Sequence, residues 1–509
     1  MLAKTYSAAV VGIDAFPVEV EINATKAGEN SIVSIVGLPD AAVKESRERV
    51  RSAMQNCGYP HPPGMTVVNL APADLRKEGA AFDLPIAMGI LAASGFIDRE
   101  KLASTAMAGE LALNGKVRPI RGVLPIAMRL REEKHLTALL VPAENVQEAA
   151  LASGDLPVFP VANLQDAVDY LKGKITSPYS GKLADIEQSD ERQPDFNEVK
   201  GQSIARRAME IAAAGGHNSL LSGPPGTGKS MIAMRLPGIL PPMTLEETLE
   251  TSRIHSVLGL LEPGRPLLRS RPFIAPHHTA SDVGLIGGGK NPAPGAISRA
   301  HHGVLFLDEL PEFKRNVLEV LRQPLETGNV SVSRANGNYI FPAKFILVAA
   351  MNPCPCGMAS VHGCRCKPNE IRKYRGKISG PLLDRIDLHV EVMRLDEDEL
   401  IKAPDGESSA TILERVIAAR QIQSERFGKS GIFCNAHMSP RDLQHFCRIG
   451  QSGETLLRNA IRRFSLSPRA YDRILKVART IADLGGEHDI QEAHLYEAVN
   501  YRNYDRTDW

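Results

Sequence analysis

Eight consecutive residues constrain this chain more than any others. Gly223-Pro224-Pro225-Gly226-Thr227-Gly228-Lys229-Ser230 fits the spacing GxxxxGK[ST], follows the apolar run Leu220-Leu221 and precedes the helix-like Met231–Leu236. In a strand-loop-helix setting the glycines let backbone N–H groups turn inward around phosphate, and the helix N-terminus adds its dipole. Lys229 can then reach the β and γ phosphates while Ser230 holds Mg²⁺. A site of this kind requires an α/β fold with a parallel sheet, and it makes ATP and Mg²⁺ the expected cofactors.

Two later segments supply partners for that loop. Val304-Leu-Phe-Leu-Asp308-Glu309 is a short apolar run followed by two carboxylates, as expected of a buried strand that delivers Asp308 to Mg²⁺ and Glu309 to the attacking water. The run Ile346–Met351 ends at Asn352, a polar group that either closes a third buried strand or opens the turn before Pro353. Lys229 and Asp308 are 79 positions apart, an interval long enough to hold an insertion that includes His277-His278 and the glycine run ending at Lys290.

Composition narrows the remaining classes. The chain has 509 residues, 43% hydrophobic and 23% charged, which describes an ordinary globular protein of several domains rather than a disordered or fibrous one. Sixty Lys and Arg against 59 Asp and Glu leave +1, so any basic surface must be local. The longest uncharged stretch, Leu84–Ile97, has fourteen residues and is interrupted by Pro85 and Gly89, whereas a membrane span needs about 20. The first residues have too short an apolar run for a secretion signal, so a cytoplasmic location without a membrane anchor is expected.

Residues 1–172 alternate aliphatic runs (Ala8–Ile13, Val18–Ile22, Ser31–Val36, Thr66–Leu70, Leu139–Val141) with helical patterns at Ala41–Asn56, Asp83–Gly95, Val123–Glu133 and Asn145–Ser153. That pattern predicts an N-terminal α+β or α/β domain. Residues 173–195 lose the periodicity and read as a linker, 196–400 carry the nucleotide motifs, and 401–509 are helical, about four helices with starts at Ser439-Pro440, Ser467-Pro468 and Asp489.

Of seven cysteines, four crowd into Cys354-x-Cys356-x₇-Cys364-x-Cys366, with His362 inside. Four thiolates suit tetrahedral Zn²⁺, but the one-residue spacing within each pair leaves reduced or redox-sensitive thiols as the alternative. A basic run, Lys367 to Lys377, follows and suits either a phosphate backbone or a solvated face. Asn329–Phe341, turning at Asn336-Gly337, predicts a β-hairpin in which Arg334 can meet phosphate, or else a plain surface hairpin.

Together GPPGTGKS, VLFLDE and ILVAAMN resemble the P-loop, second carboxylate strand and first sensor of AAA+ ATPases. Gly380-Pro-Leu-Leu-Asp384-Arg385 is similar to the segment that carries the arginine finger in the magnesium-chelatase and replicative-helicase branch, and Ser467-Pro468-Arg469 resembles the second sensor on a helical lid. The order of HHTAS, GGGKNPAPGAISRAHHGVLFLDELPEF, RQPLETG and SPRAYDRILKVARTIADL resembles the ComM/YifB family of magnesium-chelatase-like AAA+ ATPases over essentially the whole chain. The resemblance implies a homo-hexamer acting on DNA in natural transformation, with helicase or branch-migration activity, Arg385 acting on a neighbour's site and Arg469 on its own. It also implies that the hairpin with Arg334 and the glycine loop with Lys290 face a channel that takes single-stranded or branched DNA. A metal-chelatase subunit that needs no nucleic acid keeps the same ATPase core and stands as the alternative. Residues 1–172 are similar to the ribosomal-S5-domain-2-like fold of the Lon protease domain. Where that fold carries a Ser-Lys dyad this chain has Ala81 and Leu124, which points to a binding or assembly module rather than a protease.

Overall fold

The computed structural model describes residues 1–25, 32–181, 193–262, 264–289, 291–334, 337–359, 363–395, 406–428, 430–464 and 466–502. The chain forms two compact units, Met1–Ser189 with Leu245–Leu268 and Asn291–Ala293, and Asp190–Thr244 with Arg269–Lys290 and Pro294–Trp509.

The first unit is built on a seven-stranded mixed sheet. Its strands are β1 (Leu2–Val11), β2 (Asp14–Ala24), β3 (Ile32–Val36), β4 (Met65–Ala71), β5 (Thr105–Met107), β6 (Ala138–Pro142) and β7 (Val158–Val161), in the order β3-β4-β2-β1-β5-β6-β7. β1 and β2 pair antiparallel from Leu2↔Asn23 to Val11↔Asp14. The first strand therefore starts six residues before the apolar run that predicts it. Its polar half is held by cross-strand charge, with Lys4 Nζ 2.5 Å from Glu19 Oε1 and 3.0 Å from Glu21 Oε1. Alternate residues of β6 feed two cores: Ala138 and Leu140 pack into one, Leu139 and Val141 into the other. Both sheet faces are therefore covered. Helices α1 (Ala41–Asn56) and α2 (Asp83–Ala93) supply the first core, and α3 (Val123–Leu130) supplies the second.

Every residue of α2 is buried, as its all-round apolar sequence requires. Its one charge, Asp83, is met by Arg49, Nε to Oδ2 at 2.7 Å and Nη2 to Oδ1 at 3.0 Å, and accepts from Leu111 N–H. Just before this helix the Ala81 carbonyl accepts from Gly109 N–H, while Leu124 is buried within α3.

Also within this unit is the helix Leu245–Leu258, contributed from the stretch between Lys229 and Asp308. It lies on α3, and Gly122 N–H donates to Ser256 O at 3.1 Å. Ser256 Oγ donates to the buried Glu148 carboxylate, which also accepts from Leu124 N–H at 3.1 Å. Burial pushes the Glu148 carboxyl above its usual range, against the pull of those hydrogen bonds.

The second unit has a five-stranded, wholly parallel sheet. In chain order its strands are β8 (Ser219–Ser222), β9 (Phe273–Ile274), β10 (Val304–Leu307), the hairpin pair β11 (Asn329–Arg334) and β12 (Gly337–Pro342), β13 (Ile346–Met351) and β14 (Leu388–Glu391). The sheet order is β9-β10-β13-β8-β14, and β11-β12 form their own ribbon. All residues of β8, β10 and β13 are buried; β10 and β13 are apolar throughout rather than alternating, while β8 carries Ser219 and Ser222 at its ends. Register places Leu221 opposite Ala350 and Leu307 opposite Ala349, so the strands end together at one edge. Gly223, Asp308 and Asn352 leave that edge as neighbours although 129 residues separate the first from the last.

Around this sheet lie α4 (Ser203–Gly215), α5 (Lys229–Arg235) and α6 (Pro368–Arg375). The C-terminal helices are α7 (Ser409–Phe427), α8 (Pro440–Phe446), α9 (Gln451–Phe464), α10 (Pro468–Leu484) and α11 (Glu492–Asn500). They share one apolar core with the sheet strands and α4. Ser439 and Ser467 cap α8 and α10, each followed by proline at the first helical position, as their sequence signals require. The last helix starts later than Asp489 suggests: Gln491 is its cap, and the Gln491 N–H donates to His494 Nδ1 at 3.0 Å.

Candidate nucleotide site

The phosphate-binding loop is shaped by its glycines. Gly226 and Gly228 have φ of +80° and +86°, and a Cβ on Gly223 would lie 2.2 Å from the Val392 carbonyl oxygen. Thr227 Oγ1 donates to Pro224 O at 2.9 Å and closes the loop. Lys229 opens α5 with its side chain folded back, Nζ donating to Gly223 O at 2.7 Å, Pro224 O at 2.8 Å and Asn352 Oδ1 at 3.3 Å. Burial lowers the Lys229 pKa, and the nearby Asp308 charge opposes that shift. A mostly buried ammonium resting on main-chain carbonyls at a helix N-terminus fits an anion such as a nucleotide phosphate.

Ser230 Oγ donates to Asp308 Oδ2 at 2.8 Å. One hydroxyl and one carboxylate oxygen side by side are hard donors that fit Mg²⁺, with the rest of its shell left to phosphate and water. Glu309 follows with φ +52°, a left-handed conformation that a non-glycine residue holds only when its surroundings impose it. Its N–H donates to Asp308 Oδ1 at 2.9 Å, and its carboxylate remains half exposed. Lys229, Ser230, Asp308, Glu309 and Asn352 are thus brought to one edge of the sheet.

His278 joins them although the sequence reading gives it no role. Its Nδ1 lies 3.3 Å from Glu309 Oε2, and its ring stacks on His277 with centroids 4.1 Å apart. It follows β9, which runs parallel to β10, so the two strand ends set the contact. A strand of two residues leaves no periodic trace, and the adjacent His277-His278 was the only available signal.

The two predicted arginines sit differently. Arg385 is buried and ion-paired with Glu326 of its own chain, while it also donates to Pro381 O. Arg469 is exposed on the first turn of α10. Between the sheet and α10 lies a buried network that the sequence reading missed. His217 Nδ1 is 3.1 Å from Asp387 Oδ2, His217 Nε2 is 2.8 Å from Thr480 Oγ1, and Arg473 Nη1 donates to Asp387 Oδ1 at 2.9 Å. Burial alone would raise the Asp387 carboxyl, but Arg473 and His217 outweigh it and hold the group well below the usual carboxylate range.

The hairpin forms with Arg334 opposite Gly337, so Gly337 belongs to β12; Asn336 lies outside the described residues. Arg334 crosses to the glycine loop: a Cβ on Gly288 would be 2.8 Å from Arg334 Nη2. Lys290, two residues further on, also lies outside the described residues. Within the basic run, Arg375 donates to Pro353 O and Lys377 pairs with Glu312 at 3.3 Å, while Lys367, Arg372 and Lys373 are exposed.

The four clustered thiols converge. Cys354 Sγ is 3.4 Å from Cys356 Sγ and 3.9 Å from Cys364 Sγ, Cys356 to Cys364 is 3.7 Å, and all four sulfurs including Cys366 lie within 4.8 Å of one another. His362 lies outside the described residues. Such a set can hold a Zn²⁺ ion.

Comparison with known proteins agrees with this architecture. Residues 195–400 match the family described as magnesium chelatase, subunit ChlI; residues 18–145 match subunit ChlI of Mg-chelatase; and residues 406–502 match its C-terminal family. Competence protein ComM of Haemophilus influenzae is 44% identical over 505 residues, covering 98% of this chain and 97% of its own. The YifB protein of Escherichia coli is 42% identical over 506 residues, 99% of this chain and 98% of its own. The magnesium-chelatase 38 kDa subunit of Cereibacter sphaeroides is 26% identical over 214 residues, 39% of this chain and 58% of its own. A mixed α/β architecture with a parallel P-loop sheet and full-length similarity at this level leave one conclusion: the chain belongs to the ComM/YifB family of magnesium-chelatase-like AAA+ proteins.

Proposed function

We propose that this chain is an ATP-driven motor on DNA, working as a cytoplasmic homo-hexamer with helicase or branch-migration activity on the recombination intermediates of natural transformation. The observation that carries the ATPase half is the convergence of Lys229, Ser230, Asp308 and Asn352 at one sheet edge. In this reading the loop N–H groups and Lys229 bind the phosphates, and Ser230 with Asp308 holds Mg²⁺, which supplies Lewis-acid charge to the phosphate oxygens. Glu309 accepts the proton of the attacking water, Asn352 orients that water, Arg469 reaches the γ-phosphate from the lid, and Arg385 serves the neighbouring subunit.

The DNA half is supported by the competence protein among the relatives and by the placement of Arg334 over the glycine loop that leads to Lys290. Those two cations and the exposed Lys367, Arg372 and Lys373 suit a phosphate backbone rather than a base sequence. No helix among the described residues is long and apolar enough to cross a membrane.

A chelatase-like subunit without nucleic acid is the second reading, favoured by the family descriptions matched along the chain. One experiment separates the two: ATP turnover measured with single-stranded, duplex and branched DNA. A DNA motor is expected to turn over faster with DNA. Its log affinity should fall linearly with log salt, by a slope reduced by about 0.9 for each phosphate contact removed, Arg334→Ala included. If DNA neither binds at moderate salt nor changes turnover, the chelatase-like reading replaces the motor.

A further inference from the structure

Between β13 and α6 the chain makes a turn that the apolar core cannot hold. Of the described residues from Pro355 to Lys367 only Gly357 is buried, and among these described residues Met358 is the one large apolar side chain. Yet this turn is fixed at both ends of the nucleotide site. Gly357, at φ +81°, packs so closely on the phosphate-binding loop that a Cβ there would lie 2.5 Å from Pro225 Cδ, and its N–H donates to Cys354 O at 2.9 Å. On the other side, Arg375 Nε donates to Pro353 O at 3.0 Å. Something other than hydrophobic burial must keep so polar a segment in register.

The sulfur geometry says what that is. A tetrahedron with Zn–S of about 2.3 Å has S···S edges of about 3.8 Å. The three separations of 3.4, 3.7 and 3.9 Å bracket that edge. A disulfide would need about 2.05 Å between sulfurs, so no pair here is bonded. Arg365 and Lys367 flank the last two cysteines and offset the negative charge that four thiolates leave around one dication.

We infer that Cys354, Cys356, Cys364 and Cys366 bind one Zn²⁺, and that this ion braces the turn after Asn352 whose Gly357 packs on Pro225, so that the outer wall of the phosphate-binding loop keeps its place only while the metal is bound. The four-sulfur site stands on its own geometry, and the bracing role rests on the nucleotide-site reading. A ring enzyme built in this way loses nucleotide affinity when its thiols are oxidised or its zinc is removed.

The test uses the full-length chain, untagged and kept reduced. Elemental analysis is expected to give about one zinc per chain. Co²⁺ exchanged into the site should show the intense visible bands of tetrahedral tetrathiolate cobalt. Cys364→Ser with Cys366→Ser should abolish both signals, and Cys57→Ser should leave both unchanged. Because the double variant could simply misfold, the brace is tested on the wild-type chain. Zinc is released with an organomercurial and chelator, the thiols are regenerated, and a fluorescent ATP analogue is titrated. Affinity should fall roughly tenfold or more and return with Zn²⁺ but not with added Mg²⁺. No metal, with all seven thiols titrating as free, overturns the site. Metal present with affinity unchanged on stripping overturns the brace. Failure of the zinc-replete chain to bind the analogue overturns the brace together with the nucleotide reading, while the metal count stands.

Discussion

Glu309 is the residue whose substitution should be most informative, because it is held in a left-handed conformation with its carboxylate half exposed. Glu309→Gln keeps the side-chain shape and removes the base. ATP affinity should be retained while turnover falls by about 10²–10⁴-fold, measured as phosphate release against fluorescent-nucleotide binding. Lys229→Ala should instead lose binding, since the loop's only buried ammonium is gone. His278 allows a finer distinction. It meets Glu309 at 3.3 Å and is placed to aim the carboxylate rather than to bind nucleotide. His278→Ala is expected to lower kcat roughly tenfold, the worth of one hydrogen bond to a charged group, with ATP affinity unchanged. An affinity loss equal to the kcat loss would instead place His278 among the binding groups. Gly223 through Ser230, Asp308 and Glu309 were legible in the sequence because phosphate chemistry demands those residue types at fixed spacing. His278 and Glu326 were not, because each becomes significant only through a contact across the fold.

The same limit governs the elements. Strands β10 and β13 were readable as continuous apolar runs, β8 as the short Leu220-Leu221 run before the glycine loop, and the hairpin as two β-prone stretches about a turn. β5, β7, β9 and β14 are two to four residues long; β8 and β10 are no longer than four and were readable because the glycine loop and the Asp308-Glu309 pair follow them. The place of β5, β7, β9 and β14 is fixed by parallel pairing to neighbouring strands. The junction of β14 with α10 could not be read either, since Asp387, His217 and the α10 pair Arg473 and Thr480 come from three separate segments. It has a clear energetic signature. Arg473→Met leaves a buried carboxylate without its main counter-charge and should cost about 3–5 kcal/mol in chemical unfolding. The pH dependence follows in sign. Because the folded Asp387 carboxyl titrates below its unfolded value, its stabilisation is complete above about pH 4 and is lost as pH falls through the folded value. Asp387→Asn should therefore be less stable than wild type at neutral pH, with the difference shrinking on acidification. A difference that stays constant from neutral pH into the acid range would remove Asp387 from the account.

For the molecule as a whole, the linear order of motifs was readable while the exchange of segments between compact units was not. The helix Leu245–Leu258 has an ordinary sequence, and only its burial against α3 assigns it to the first unit. A fragment of residues 1–181 should consequently unfold at a lower temperature than the same fragment mixed with a peptide of residues 245–268, which restores Ser256 to Glu148. No shift on mixing would make that helix dispensable to the unit. The hexamer reading makes a different demand. Arg385 is buried against Glu326 in the single chain, so serving a neighbour's phosphate requires it to leave that pair for a better one. Exchange of this kind is favourable only where a phosphate concentrates more charge than one carboxylate. Arg385→Ala should then bind ATP normally yet turn it over slowly, and Lys229→Ala should do neither. Mixed as subunits of one ring, the two variants create some interfaces in which an intact Lys229 faces an intact Arg385. Turnover in the mixture should exceed that of either variant alone and peak at intermediate ratios. If subunits exchange, as followed by fluorescence transfer between labelled chains, and turnover still does not recover, Arg385 acts within its own chain and the Glu326 pair is its resting role.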